Sequence, residues 1–395
     1  MRRALLIAAV FTAQFLVFEF GMRVAGGSEA APAFQRLFLT DPAVGHRLRP
    51  GAETRFTTSE FSSDIRINAA GVRGPEIPPK APGERRIAIL GDSLVFSVQV
   101  NQPQTFAQLL EDRLRAGDSS RPYRVVNAGV QGYGPVEELL FYRKVVVPLQ
   151  PDLVIVMVFV ANDAVEAVDS AWLLDGSRQS VERAQTEATG FARRVVRRSM
   201  VLQQVRLRVN EVLEWLRPAQ APTVSRPLTT YLPTASPEVQ RGLELTRQIL
   251  SQLDNEAGAR GARVAVVLVP ARFQLNDVDY GHLRKAVAAA GQELIRDKAT
   301  ERFAEALAPL GLPMLDLLPI LRRQPDPSGL FFTENVHFTP RGHQVVAEAL
   351  ARFVRDEVLL GTPAVAPQHE PQAPVGFGAA SSGNSSAVRS STDRP

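Results

Sequence analysis

The stretch "RIAILGDSL", residues 86–94, decides the fold. Its first half is an unbroken apolar run with no polar alternation, as a strand covered on both faces must be. Its second half is a glycine, an aspartate and a serine at the point where such a strand ends. Four later runs have the same character: "RVVNAGV" (124–130), "DLVIVMVFV" (152–160), "RVAVVLV" (263–269) and "PMLDLL" (313–318). Amphipathic stretches separate them, at Thr105–Leu114, Pro135–Val147, Glu238–Ala259 and His282–Leu310. A last one covers Pro340–Val358, with Thr339 placed as N-cap and Pro340 at the first helical position. Strands alternating with helices predict an α/β fold, a parallel sheet with helices on both sides.

Composition agrees. The chain has 395 residues, 45% hydrophobic and 22% charged, the ordinary globular mix, with ample material for a core. A wholly disordered, collagen-like or multi-span membrane protein is excluded. Cysteine is absent, which removes disulfides, thiolate nucleophiles and Cys-ligated metals. The 45 basic and 41 acidic residues leave a net charge of +4, dispersed along the chain. Nucleic-acid binding favours a concentrated basic face, so no nucleic-acid partner is expected.

The two ends differ from the middle. Arg2 and Arg3 precede the apolar run "ALLIAAVFTAQFLVF" (4–18), which Glu19 and Arg23 interrupt. Ser28-Glu29-Ala30 is a poor cleavage site, so residues 1–27 are expected to act as a signal anchor, an N-terminal membrane helix, rather than a cleaved signal peptide. The remainder of the chain is then exported, with its main domain in the periplasm or another extracytoplasmic space. Residues 362–395 are rich in Pro, Ala, Ser and Gly without apolar periodicity, the composition of a disordered tail.

Two additions flank the sheet-forming runs. Residues 32–82 contain "RFTTSEF" and "DIRINAAGVRG", a small β extension. Residues 164–237 form an insertion between the third and fourth strands. It carries the basic segment "FARRVVRRSMVLQQVRLRVNEVLEWL", whose Arg193, Arg194, Arg197 and Arg198 read as a solvated helix face.

Ligands of open parallel sheets sit at the carboxyl ends of the strands. Four polar clusters fall there: Gly91-Asp92-Ser93-Leu94, "NAGVQGYG" (127–134), Ala161-Asn162-Asp163, and Thr333-Glu334-Asn335-Val336-His337. Their chemistry is complementary. A serine hydroxyl needs a base to remove its proton, and His337 can be that base for Ser93. An imidazole needs a carboxylate to hold its tautomer, and Glu334 lies three residues before it. A tetrahedral oxyanion needs preorganised donors, and the N–H groups of Ser93 and Gly132 with the Asn162 amide would supply them. Taken singly, Ser93 reads as a helix cap, Gly132 and Asn162 as turn residues, and His337 as a core histidine. Together, in order and each at a strand end, they predict a serine catalytic site. His46, His282, His343 and His369 are left to structural roles.

At these residues the sequence resembles the SGNH hydrolase superfamily, the GDSL-type lipases and esterases. Gly91-Asp92-Ser93-Leu94 matches the first block, Gly132 the second and Asn162 the third, with Val160 where a glycine is usual. Glu334-Asn335-Val336-His337 matches the Asp-x-x-His block with Glu for Asp. The resemblance covers roughly residues 84–358, and the leading "INAAGVRG" also resembles extensions of exported bacterial relatives. It implies a flavodoxin-like three-layer α/β/α sandwich with five strands in the order 2-1-3-4-5. It also implies an acyl-serine esterase cleaving O-acyl or O-acetyl esters of a carbohydrate or lipid. Some exported relatives instead transfer acetyl groups to polysaccharides, as an O-acetyltransferase would. A non-catalytic polysaccharide-assembly factor on the same fold is the alternative of a different class, since fold does not fix function.

No cofactor is expected. Gly129, Gly132 and Gly134 have a spacing reversed from the dinucleotide fingerprint and follow the second strand, not the first. No His, Asp or Glu cluster has metal-ligand spacing. "QLNDVDYGH" (274–282) lacks the glycine of a calcium loop.

Overall fold

The computed structural model describes residues 34–175 and 223–359. The chain first makes two antiparallel hairpins. One pairs β1 (Phe38–Asp41) with β2 (Gly45–Leu48), the other β3 (Glu53–Thr57) with β4 (Ser62–Arg66). In β4 the exposed Ser62, Asp64 and Arg66 alternate with the buried Ser63 and Ile65, the period of a strand with one covered face. These hairpins lie within residues 32–82.

The five apolar runs then form one parallel sheet. They are β5 (Arg85–Gly91), β6 (Tyr123–Gly129), β7 (Leu153–Phe159), β8 (Arg263–Val269) and the short β9 (Met314–Asp316). Their order is β6-β5-β7-β8-β9, all pairs parallel, which is the order 2-1-3-4-5 within the sheet. The chain runs from β5 outward to β6, then returns past β5 to β7. The topological switch point, where ligands of such sheets sit, therefore lies beyond the carboxyl ends of β5 and β7.

The helices are α1 (Ser93–Phe96), α2 (Phe106–Gly117), α3 (Pro135–Phe141), α4 (Asp163–Ser170), α5 (Trp172–Asp175), α6 (Pro237–Gly258), α7 (Asp277–Ala289), α8 (Lys298–Leu307), α9 (Leu318–Arg322) and α10 (Pro340–Phe353). On one sheet face Ile87, Ile89, Ile155 and Met157 pack with Leu110 and Leu114 of α2 and Val346 and Leu350 of α10. The alternate residues Ala88, Leu90, Val154 and Val156 must point to the other face and are buried too. Both faces are covered, which is why these strands read as continuous apolar runs. Each fully buried Leu or Ile contributes about 1.5–3 kcal/mol.

Helix ends follow local chemistry. Thr339 accepts the Gly342 N–H at 3.2 Å, with Pro340 at the first helical position. Two expectations are corrected. The stretch His282–Leu310 is two helices, α7 and α8, separated by a turn at Gly291. The helix from Pro135 keeps α geometry only to Phe141, before a wider turn and a tight turn around Pro148.

The signal anchor at 1–27, the basic segment 191–216 and the tail 362–395 lie outside the described residues. Among the described residues no helix is long and apolar enough to cross a membrane.

Candidate active site

The turn after β5 places Ser93 at the first position of α1. Asp92 caps this helix, its Oδ1 accepting the Leu94 N–H at 2.8 Å. The cap of α1 is thus made by Asp92 and not by the Ser93 hydroxyl. That hydroxyl lies 2.8 Å from His337 Nε2, across 244 residues of sequence.

The other ring nitrogen settles the tautomer. His337 Nδ1 is hydrogen-bonded to Asn335 Oδ1. The same oxygen accepts the His337 backbone N–H at 3.2 Å. A backbone N–H can only donate, so it fixes which amide atom is the oxygen. Nδ1 then carries the proton, and Nε2 turns a lone pair to the Ser93 O–H. Packing around the half-buried ring pushes its conjugate acid down to about 4. The imidazole is therefore neutral at pH 7, the form that can take up a proton.

Glu334 is not at the ring, contrary to the sequence expectation. Its carboxylate is exposed and accepts the Ser59 hydroxyl at 2.8 Å. The reason is local. Asn335 closes an Asx turn onto the N–H two residues on, which carries its side-chain oxygen to the ring of the same residue. The backbone N–H groups of Thr333 and Glu334 both donate to Glu60, at 2.6 and 2.9 Å. That pair of bonds turns the Glu334 side chain towards the β3–β4 hairpin.

Gly132 and Asn162 follow the strands on either side of β5. Gly132 has φ +72°, left-handed geometry that a side chain would strain. Asn162 occupies the N-cap position of α4 without capping it. Its Nδ2 donates instead to Glu166 Oε1 at 2.8 Å.

The β extension clasps three of these loops. Arg73 donates to the carbonyls of Phe96 (2.7 Å) and Ser97, at the end of the helix that Ser93 begins. His46 Nε2 bonds the Gln131 carbonyl at 2.8 Å, and Tyr133 donates back to the His46 carbonyl. Ser59 and Glu60 hold the His337 loop, and Phe61 packs on Phe332 with ring centroids 5.4 Å apart. Sequence reasoning missed these contacts, and also Asn335 and Glu166. Only Glu166 left a signal, its i, i+4 spacing from Asn162 at a helix start. His343 is a core histidine, its Nδ1 accepting the Phe106 N–H at 3.2 Å.

The chain is similar to several known proteins. Residues 230–378 match the family model described as SGNH hydrolase-like domain, acetyltransferase AlgX; the match includes His337 but begins after Ser93, Gly132 and Asn162. A curated relative, the probable alginate O-acetylase AlgJ of Pseudomonas aeruginosa, is 28% identical over 122 residues. That alignment covers 31% of this chain and 29% of the relative's length. Among solved structures, a lipase/acylhydrolase from Enterococcus faecalis aligns over 69% of this chain and 95% of its own, at 14% identity and TM-score 0.39. A catalytic mutant of Axe2, an acetylxylan esterase from Geobacillus stearothermophilus, aligns over 68% and 94%, at 14% identity and TM-score 0.37. The sheet order is the one the SGNH hydrolase resemblance implies, and residues 230–378 are similar to an SGNH hydrolase-like domain.

Proposed function

We propose that the chain is a serine enzyme that takes an acyl group from an O-acyl ester through an acyl-Ser93 intermediate. The carrying observation is the 2.8 Å contact of Ser93 Oγ with a His337 Nε2 whose tautomer Asn335 fixes. In this reading Ser93 Oγ attacks the ester carbonyl as its proton passes to Nε2. The N–H groups of Ser93 and Gly132 and the Asn162 amide receive the oxyanion. The alcohol leaves with the proton from Nε2. An acceptor hydroxyl, of water or of a second alcohol, then gives its proton to Nε2 and attacks the acyl carbon, and Ser93 Oγ leaves taking that proton back from Nε2. Asn335 orients the ring but, being neutral, adds no charge to steady the imidazolium. Release of p-nitrophenol from p-nitrophenyl acetate by the full chain tests the proposal, and no release above the buffer rate would refute it.

A second reading has the acyl group pass to a carbohydrate hydroxyl, as in an O-acetyltransferase of an envelope or secreted polysaccharide. The matched acetyltransferase family and the O-acetylase relative favour it. Adding an alginate oligosaccharide should then accelerate p-nitrophenol release and yield acetylated sugar by mass spectrometry. Unchanged release with no acetylated sugar would leave hydrolysis. The Arg2-Arg3 leader and its apolar run support export and tethering of this activity at the membrane.

Asn162→Ala is expected to lower kcat by about 10²–10³ with a smaller effect on KM, because its amide meets charge that appears only in the transition state. A change confined to KM would assign it to substrate binding. Glu60→Ala is expected to lower kcat about tenfold, or about 1.4 kcal/mol, the scale of one charge-assisted hydrogen bond, by freeing the loop that carries His337. An unchanged kcat would show that the loop holds itself.

A further inference from the structure

We propose that Glu166 is the positioning residue of the oxyanion site, holding one amide N–H of Asn162 so that the other is aimed at the developing charge. The inference rests on the reading of Asn162 as an oxyanion donor.

The geometry is unusual for an asparagine at a helix start. Such a residue normally turns its side-chain oxygen onto the N–H groups of the first turn. Asn162 does not: among the described residues its buried Oδ1 has no partner, and the amide is fixed by the 2.8 Å bond from Nδ2 to Glu166 Oε1. Glu166 is held in turn. A Cβ on Gly134 would come within 2.8 Å of the Glu166 Cβ, so that glycine makes room for the side chain beside the Gly132 loop. Asn162 thus forgoes capping for one contact that orients its amide.

The surroundings say which protonation state does this. Glu166 faces Asp92 from the β5 turn, Glu137 and Glu138 from α3, and Asp163 and Asp169 from its own helix. The nearby Arg226, from the turn packed against α4, is bound by Asp169 at 2.9 Å and by Glu238 of α6. Glu138 is 2% exposed and Asp163 1%, and each leaves one buried carboxylate oxygen without a partner. Among the described residues no group of three or more His, Asp or Glu side chains is placed to hold a metal ion. Burial and mutual repulsion hold the carboxyls of this cluster towards their neutral forms. Burial, then the charges of Asp92 and Glu137, push Glu166 up to about 8. At neutral pH Glu166 is protonated, and its Oε1 still accepts from Asn162. Above about 8 it becomes an anion beside the oxyanion and opposes it. The sign is set: kcat falls as pH rises through about 8.

The test is kcat and KM for p-nitrophenyl acetate from about pH 6 to about pH 9.5, corrected for hydroxide hydrolysis, in wild type, Glu166→Ala and Glu166→Gln. Glu166→Ala should lower kcat about 10- to 100-fold at neutral pH with KM within about twofold. Glu166→Gln, which still accepts but cannot ionise, should recover most of that loss and show no alkaline fall. Glu166→Ala should add little to Asn162→Ala, because it acts through that amide. Variants indistinguishable from wild type, a Gln variant keeping the alkaline fall, or a fully additive double variant would overturn the inference alone. If the Ala variant does not fold, the Gln pH profile decides. Wild type that neither turns over the ester nor labels at Ser93 with a fluorophosphonate would overturn the acyl-serine reading, and this inference with it.

Discussion

Replacing Ser93 by alanine is expected to abolish ester turnover, lowering kcat by more than about 10³-fold, while the thermal unfolding midpoint stays close to wild type. The two halves have separate causes. The hydroxyl supplies the bond that carries the acyl group, so no neighbour replaces it. It contributes little to the fold, because its partner is the His337 ring and Asp92, not Ser93, caps α1. Retention of more than about a tenth of wild-type kcat corresponds to less than about 1.4 kcal/mol of barrier and would remove Ser93 as nucleophile.

His337→Ala should be nearly as damaging, by about 10³-fold or more, because one ring performs both proton transfers. The loop around it should rank in a way that its geometry dictates. Asn335→Ala should cost about 10- to 100-fold, since the ring loses the oxygen that fixes its tautomer. Glu334→Ala should stay within about threefold of wild type, since its carboxylate faces Ser59. Asn335→Asp adds a negative charge beside the ring and favours the imidazolium. Its kcat/KM should therefore fall on the acid side at a higher pH than the value of about 4 set by the buried wild-type ring. Steady-state kinetics of the four variants over pH checks all of this. A Glu334→Ala variant as inactive as His337→Ala would show that Glu334 reaches the ring in the working enzyme.

The parts of the fold that could be read in the sequence are those set by local pattern. Ala88, Leu90, Ile87 and Ile89 are buried on alternate faces, so "RIAIL" had to read as a two-sided strand. The serine at its end and the histidine before the last helix were legible for the same reason, since strand order brings them to one edge. The break between α7 and α8 was not. Apolar residues continue through the turn at Gly291 at spacing a helix would also produce. Nor was the partner of His337. Which side chain of an irregular turn meets the ring depends on what holds its neighbours. Here that is Ser59 and Glu60, 275 and 274 residues distant from Glu334. A spacing rule three residues long carries no trace of such contacts. The clasp made by Arg73, His46 and Glu60 was hidden in the same way, inside segments that read only as a small β extension.

The most direct measurement is the mass of the protein quenched within the first turnovers of p-nitrophenyl acetate, followed by peptide mapping. An acetyl adduct is expected on the peptide that carries Ser93, formed at the rate of the initial p-nitrophenol burst and missing in Ser93→Ala. Turnover with no adduct at any time, or an adduct on another residue that persists in Ser93→Ala, would contradict it.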